Sequence, residues 1–319
     1  MLKFKELILL LIIFFITNNA FGIVKIKYKI NDEIITNIDI LNEKKYLTFL
    51  RPNLKKLSNE EISAITTNSL IREIIKKKEI DRIFKNRDNL NFIQDVKKNL
   101  FKFKKVKNEE EFKKLIKNTD IKYDIIIEKI KYEALWNELI FSKYSSMIKI
   151  DEKNLRQNLV EKISSEKKYE YNLSEILFEI EKNEDIQNKL KLIINYIKSS
   201  DFKTAASRYS ISSSANKGGQ IGWIKETLLS NNLNLILGKM KINEVSKPIK
   251  YPNGYLILKI NDKKEMKEVI NIQSELNEII NFEKNKQLNQ FSLLYYKKLK
   301  QNTVIDEYWV YNNSIRRTI

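Results

Sequence analysis

Ser213-Ser214-Ala215-Asn216-Lys217-Gly218-Gly219-Gln220-Ile221-Gly222-Trp223 is the stretch on which the fold turns. The chain has only six glycines, and apart from Gly22 all of them lie between Gly218 and Gly254. Pro248 and Pro252, two of its three prolines, close the same region. A residue without a Cβ admits positive φ and close backbone approach, so glycines gathered this way mark turns that re-enter a sheet. The remainder of the chain has the composition of helices. The glycines do not read as a phosphate cradle, because neither GxxxxGK[ST] nor GxGxxG follows a strand.

Upstream of this stretch, residues 169–180 alternate. Tyr171, Leu173, Glu175 and Leu177 share one face, and Ile176, Phe178 and Ile180 the other. Helices are expected over 185–197 and 201–209. Downstream, Val245-Ser246-Lys247-Pro248-Ile249 and Asn253-Gly254-Tyr255-Leu256-Ile257-Leu258-Lys259-Ile260 read as the last two strands of the same module.

Further out the pattern changes to helical. Val24, Ile26, Tyr28 and Ile30 form a short alternating strand, and Asn31-Asp32 turns it back. Thr36 and Asn37 can cap a helix from Ile38, and Ser58-x-x-Glu61 is a capping box before Ile62, Ile65, Leu70, Ile71, Ile74 and Ile75. Asn108-x-x-Glu111 opens another helix, residues 121–144 form a long amphipathic one, and Asp151 caps 152–163. Residues 266–299 read as a single helix of about nine turns. It is too long to pack on the small module alone, so it is expected to fold back onto the N-terminal helices. The expected fold class is α+β, a mainly helical discontinuous domain with an inserted α/β module. The expected boundaries are 1–22 leader, 23–165 helical, 166–263 inserted module and 264–319 C-terminal helix.

Lys3 and Lys5 precede the apolar run from Leu7 to Ile16, followed by Thr17-Asn18-Asn19 and Ala20-Phe21-Gly22. This is the pattern of a signal peptide cleaved near Gly22, with an uncleaved anchor as the alternative. Ten apolar residues are short for a bilayer crossing. A mature chain starting near Ile23 would be exported and soluble.

Composition removes several chemistries. With no Cys and no His, there is no disulfide framework, no Cys/His zinc site and no His-dependent nucleophile. The 59 Lys+Arg against 41 Asp+Glu give a formal charge of +18. The lysines are dispersed among acids, not gathered in a stripe, and the Lys, Ile and Asn excess is what an AT-rich genome produces. Together with export, this argues against a nucleic-acid partner.

At Ser213–Lys217 through Trp223, preceded by Phe202-Lys203-Thr204-Ala205-Ala206-Ser207-Arg208-Tyr209-Ser210, the chain resembles the parvulin family of peptidyl-prolyl isomerases. The leader, Asn31 to Ile40, the helix ending near Tyr144 and the long C-terminal helix resemble the SurA family of periplasmic chaperones, although that family commonly carries two parvulin domains. The resemblance implies a periplasmic chaperone of unfolded or extended polypeptides, outer-membrane protein precursors among them. It implies no cofactor, no metal, no nucleic acid and no stable membrane insertion. Active parvulins surround the proline site with two histidines, a Cys or Asp and an apolar floor. By resemblance the histidine positions are Glu175 and Leu256, the Cys/Asp position is Ser212, and the floor is Leu229 and Leu233. Ser213 and Asn253 are further candidates for substrate contacts.

Each candidate has a structural counterpart. Glu175 reads as a strand residue whose carboxylate reaches solvent, since an unpaired buried carboxylate is costly. Leu229 and Leu233, at i and i+4, read equally as core. Trp223 is expected as a core anchor, because large aromatics dominate burial. The resulting function is a chaperone with weak or lost isomerase activity; the alternative is an active parvulin-type isomerase. A structural or adhesion role has no repeat, disulfide or stalk composition behind it.

Overall fold

The computed structural model describes residues 24–84, 92–163, 168–180, 184–252, 254–266, 271–308 and 316–318. The expected leader and Asn253 lie outside the described residues. Asn31 adopts a positive φ of 50°, tightening the turn between β1 (Ile26–Ile30) and β2 (Glu33–Thr36). Thr36 then caps α1 (Asn37–Leu50). Its hydroxyl accepts from the Asp39 amide, and the Asp39 carboxylate accepts from the Thr36 amide at 2.8 Å. Two of the four donors that a helix start leaves unpaired are thereby satisfied. Ser58 and Glu61 make the same reciprocal pair at the start of α2 (Asn59–Ile83).

Next comes α3 (Phe92–Phe103), which the sequence reading did not include, although Val96, Leu100 and Phe101 carry a helical spacing. Asn108 caps α4 (Glu109–Ile116), α5 (Tyr123–Tyr144) follows, and Asp151 accepts from the Asn154 amide at 3.0 Å at the start of α6 (Glu152–Ile163). Phe112, Ile116, Ile126 and Ile130 of α4 and α5 bury a core against α3.

The inserted module begins with β3 (Tyr169–Phe178), followed by α7 (Ile186–Ser199), α8 (Phe202–Tyr209), β4 (Gln220–Lys225), α9 (Asn231–Gly238), β5 (Ile249–Tyr251) and β6 (Gly254–Glu265). Its sheet has the order β4-β3-β6-β5, antiparallel throughout. Both expected faces of β3 are found. Tyr171, Leu173 and Leu177 pack with Leu229, Leu256 and Leu258, while Ile176 and Phe178 pack under α7 and α8 with Ile193, Phe202 and Ala206. The strand β6 continues to Glu265, two residues past the expected end of the module at 263.

The C-terminal helix α10 (Ile272–Gln301) starts later than residue 266, because β6 is longer and Met266 still donates to Lys168 O at 2.8 Å. As expected, it folds back onto the N-terminal helices. Tyr295 stacks on Trp136 of α5 at 5.8 Å between centroids, and Phe291 stacks on Tyr144 at 4.8 Å. Trp136 Nε1 donates to Ser292 Oγ at 2.8 Å, so the polar edge of the buried indole is satisfied. The helix also touches the inserted module, a partner its periodicity does not disclose. Leu276 and Ile279 pack with Leu159 of α6 and Leu228, and the buried Glu275 carboxylate accepts from Lys225 Nζ at 3.0 Å and from Thr227 Oγ1.

Past α10, β7 (Ile305–Tyr308) pairs with β1 and with β8 (Arg316–Thr318), giving a second sheet of order β2-β1-β7-β8. The two ends of the helical part are thus joined by main-chain bonds as well as by side chains. Ile30, Ile35 and Ile305 from this sheet pack on Ile71 and Ile75 of α2.

Candidate functional site

The site forms where the Ser210–Gly219 segment returns alongside β3. Ile211 N donates to Leu177 O at 2.7 Å, and Leu177 N donates to Ser210 Oγ at 3.1 Å, holding the segment beside the strand. Ser212 follows and caps a 3₁₀ turn over Ser213–Lys217. The turn ends at Gly218 in the left-handed region (φ 66°), and Gly219 stays there (φ 78°). A Cβ on Gly219 would lie 2.3 Å from Glu175 O and 2.8 Å from Ala206 Cβ, so no other residue fits without displacing β3 or α8. In return Glu175 N donates to Gly219 O at 2.8 Å. The Gly-Gly pair therefore sets how closely the serine turn approaches Glu175.

That approach makes a cluster of three side chains. Ser212 Oγ donates to Glu175 Oε1 at 2.6 Å, and Ser214 Oγ donates to the same oxygen at 2.8 Å. The two hydroxyls lie 3.1 Å apart. Glu175 is half-buried, and its carboxylate is not simply released to solvent as a strand residue's would be. Ser214 was not among the candidates. Its signal was the i+2 spacing from Ser212, which a capped 3₁₀ turn brings to one side.

Glu175, Ser212, Leu229, Leu233 and Leu256 all line one cavity of about 290 Å³. Leu256 lies opposite Leu177 in the β3–β6 register, and Leu258 lies opposite Glu175, so Glu175 and Leu256 face the same space. Leu229 and Leu256 are 6% and 5% exposed and belong to the module's core, with Leu233 packed against it. Core and floor are here the same residues. Ser213 is exposed and does not line the cavity. Trp223 is 42% exposed, correcting its expected place in the core. It sits on the edge strand β4 opposite Asn172, with Lys264 Nζ 4.6 Å from the ring centroid.

The far wall of the cavity is not part of the module. Phe282, Asn285, Lys286, Asn289, Gln290 and Leu293 of α10 line it, a stripe at helical spacing. Burial holds the Tyr251 hydroxyl above its ordinary range, against the opposing effect of its hydrogen bond with Gln290. Among the described residues, no group of His, Cys, Asp and Glu is placed to hold a metal ion, and no helix is long and apolar enough to cross a membrane.

Residues 172–262 match the family model described as Rotamase, PPIC-type PPIASE domain. The chain is 25% identical over 163 residues to the chaperone SurA of Pseudomonas putida, covering 49% of this chain and 38% of that protein. It is 27% identical over 297 residues to the periplasmic chaperone PpiD of Buchnera aphidicola subsp. Schizaphis graminum, covering 86% of this chain and 44% of that one. The foldase protein PrsA of Geobacillus kaustophilus is 29% identical over 217 residues, covering 63% and 72% respectively. The chain spans less than half the length of the SurA and PpiD relatives it matches. Buried strand faces, the Gly218-Gly219 turn and the family match fall on one segment: residues 172–262 are similar to the PPIC-type PPIASE domain, and the chain that carries them is similar to the SurA, PpiD and PrsA chaperones and foldases.

Proposed function

We propose that this protein is a periplasmic chaperone that holds unfolded polypeptides, outer-membrane protein precursors among them, and that its parvulin domain isomerises proline weakly or not at all. The observation that carries this reading is the cluster at Glu175. Rotation about an X–Pro bond breaks amide resonance, against a barrier of roughly 18–20 kcal/mol. The twisted form has a pyramidal nitrogen that accepts a hydrogen bond, so a catalyst gains by offering donors there within an apolar pocket. Here the hydroxyl of Ser212, which lines the cavity, and that of Ser214 beside it both donate to Glu175. The carboxylate they hold adds an acceptor and, when ionised, a negative charge. The side chain at Leu256 carries no polar atom. Losing one aligned donor costs about 3 kcal/mol of barrier lowering, roughly a hundredfold in rate.

The apolar floor favours the second reading, an active isomerase of exported proteins. Leu229, Leu233 and Leu256 surround a volume large enough for a proline ring. A protease-coupled proline-peptide assay and an aggregation-suppression assay on one preparation of the intact chain separate the two. The proposal expects holding of an unfolded outer-membrane protein with isomerisation about a hundredfold below that of active parvulins. Isomerisation at the full parvulin rate, or failure to hold the client, would overturn it.

A further inference from the structure

A second concavity lies between the two parts of the molecule and adjoins the proline cavity at Lys250, Tyr251 and Leu293. It is a cleft of about 630 Å³ whose walls come from α2, from α8 and the β5–β6 turn of the parvulin domain, and from the last turns of α10. Five cations line it, Arg72, Arg208, Lys250, Lys297 and Lys300, against one carboxylate, Glu179, which is already paired with Lys297. The lysines of this chain are otherwise interspersed with acids, so the imbalance here is local.

The cations differ in what holds them. Arg72 lies 5.8 Å from the Tyr296 ring centroid and Arg208 5.4 Å from that of Tyr209, so aromatic faces orient both guanidinium groups. Arg208 also faces Glu61 at 3.5 Å, outside the lining. Lys250 and Lys300 are exposed and have no acidic partner among the described residues. Between the charges lie Ile71, Ile211 and Leu293, with Leu294 52% exposed to the opening.

We propose that this cleft binds extended polypeptide segments in which acidic residues alternate with apolar ones. The proposal rests on the chaperone reading and adds a charge preference to it. Unpaired lysines at the rim supply long-range attraction, and the apolar and tyrosine surfaces between them accept the intervening side chains. A lipid surface carries the same negative charge but is broad, and a cleft walled on three sides admits a single extended chain more readily than a bilayer.

The test is fluorescence anisotropy on the full chain with two labelled, unstructured peptides. In one, Asp and Glu alternate with Val and Tyr; in the other, every carboxylate is replaced by its amide. The acidic peptide is expected to bind at least about tenfold more tightly at ~0.05 M salt, with the gap closing towards ~0.5 M as the charges are screened. Lys250→Glu with Lys300→Glu should weaken the acidic peptide about tenfold and leave the amide peptide unchanged, and the Lys250→Gln, Lys300→Gln pair should fall between. Equal binding of the two peptides, or no effect of either pair of substitutions in protein of unchanged circular dichroism, overturns the charge preference and leaves the chaperone reading standing. Binding of neither peptide overturns both. Displacement of the acidic peptide by phosphatidylglycerol vesicles or an oligonucleotide more effectively than by unlabelled peptide assigns the cleft to another partner and overturns the proposal.

Discussion

Tyr295→Ala tests whether the C-terminal helix completes the N-terminal core. Tyr295 is 8% exposed, stacks on Trp136 and meets Tyr144 edge-on at 6.0 Å. Its hydroxyl donates to the buried Glu79, which Arg82 also holds through two bonds of 2.8 and 2.9 Å. Truncating a buried aromatic leaves a cavity and removes its transfer energy, about 3–5 kcal/mol together. The retained Arg82 pair keeps Glu79 from becoming an uncompensated buried charge, so the loss should stay within that range. Spread over a helical unit of this size, it corresponds to a fall in melting temperature of about 6–20 °C. Tyr295→Phe keeps the packing and removes only a hydrogen bond to a charged group, about 1.5–3 kcal/mol. Leu294, the preceding residue, is 52% exposed and serves as the control, with less than about 0.5 kcal/mol expected for Leu294→Ala. Urea titration followed by circular dichroism reads all three. If Tyr295→Ala and Leu294→Ala shift the midpoint equally, α10 is not part of the core and the reasoning fails.

Two further outcomes are expected. The Arg82 hydrogen bonds, aided by Tyr295, hold the Glu79 carboxyl below its ordinary range against the opposing effect of burial. A depressed folded-state pKa contributes stability that is complete above the unfolded value of about 4.3 and is lost as pH falls through the folded one. The gap in urea midpoint between the unaltered protein and Glu79→Gln should therefore be present at neutral pH and close in acid; a gap independent of pH contradicts this. Arg51 ends α1 and sends its buried guanidinium into the parvulin domain, donating to Ala215 O at 3.0 Å and to Ser207 Oγ, with burial pulling its pKa down to about 10. Arg51→Ala should speed hydrogen exchange at the Gly218 amide, which bonds to the same carbonyl, by about tenfold, the equivalent of about 1.4 kcal/mol. Unchanged exchange there would mean that Arg51 does not brace the serine turn.

What could be read from the chain beforehand was what is local. Capping at Thr36, Ser58, Asn108 and Asp151 needs only side chains within one turn of the helix start, and each cap is found. The two faces of β3 follow from period two alone. Trp223 shows where such reasoning stops. Alternation assigns a residue to a face, but burial requires that something cover that face. The helical layer of α7 and α8 covers Ile176 and Phe178, whereas Trp223 is paired with Asn172, four residues earlier on β3 and about 13 Å away along the strand. The surroundings of Glu175 were equally out of reach, because its partners come from Ser212 and Ser214 and are placed by the Gly219 contact. The β1–β7 pairing joins the two ends of the described chain, and nothing in the short segment Ile305–Tyr308 names β1 as its neighbour.

The same distinction bears on the proline cavity. A domain cut from the chain at its sequence boundaries would keep Glu175, Ser212 and the leucine floor but lose Phe282, Gln290 and Leu293, which belong to α10. Leu293 packs directly against the domain's core cluster, so its removal uncovers apolar surface as well as opening the cavity. The helix is held in place from both ends, by Glu275 with Lys225 and Thr227 at one and by Tyr295 with Trp136 at the other. Over its 30 residues it spans about 45 Å. Part of the cavity wall is therefore a helix anchored in the other unit, so the shape of the cavity depends on how the two units are docked. Isomerase rates measured on an isolated parvulin fragment would describe a cavity that the intact chain does not contain, which makes the full chain the only preparation on which the Glu175 argument can be judged.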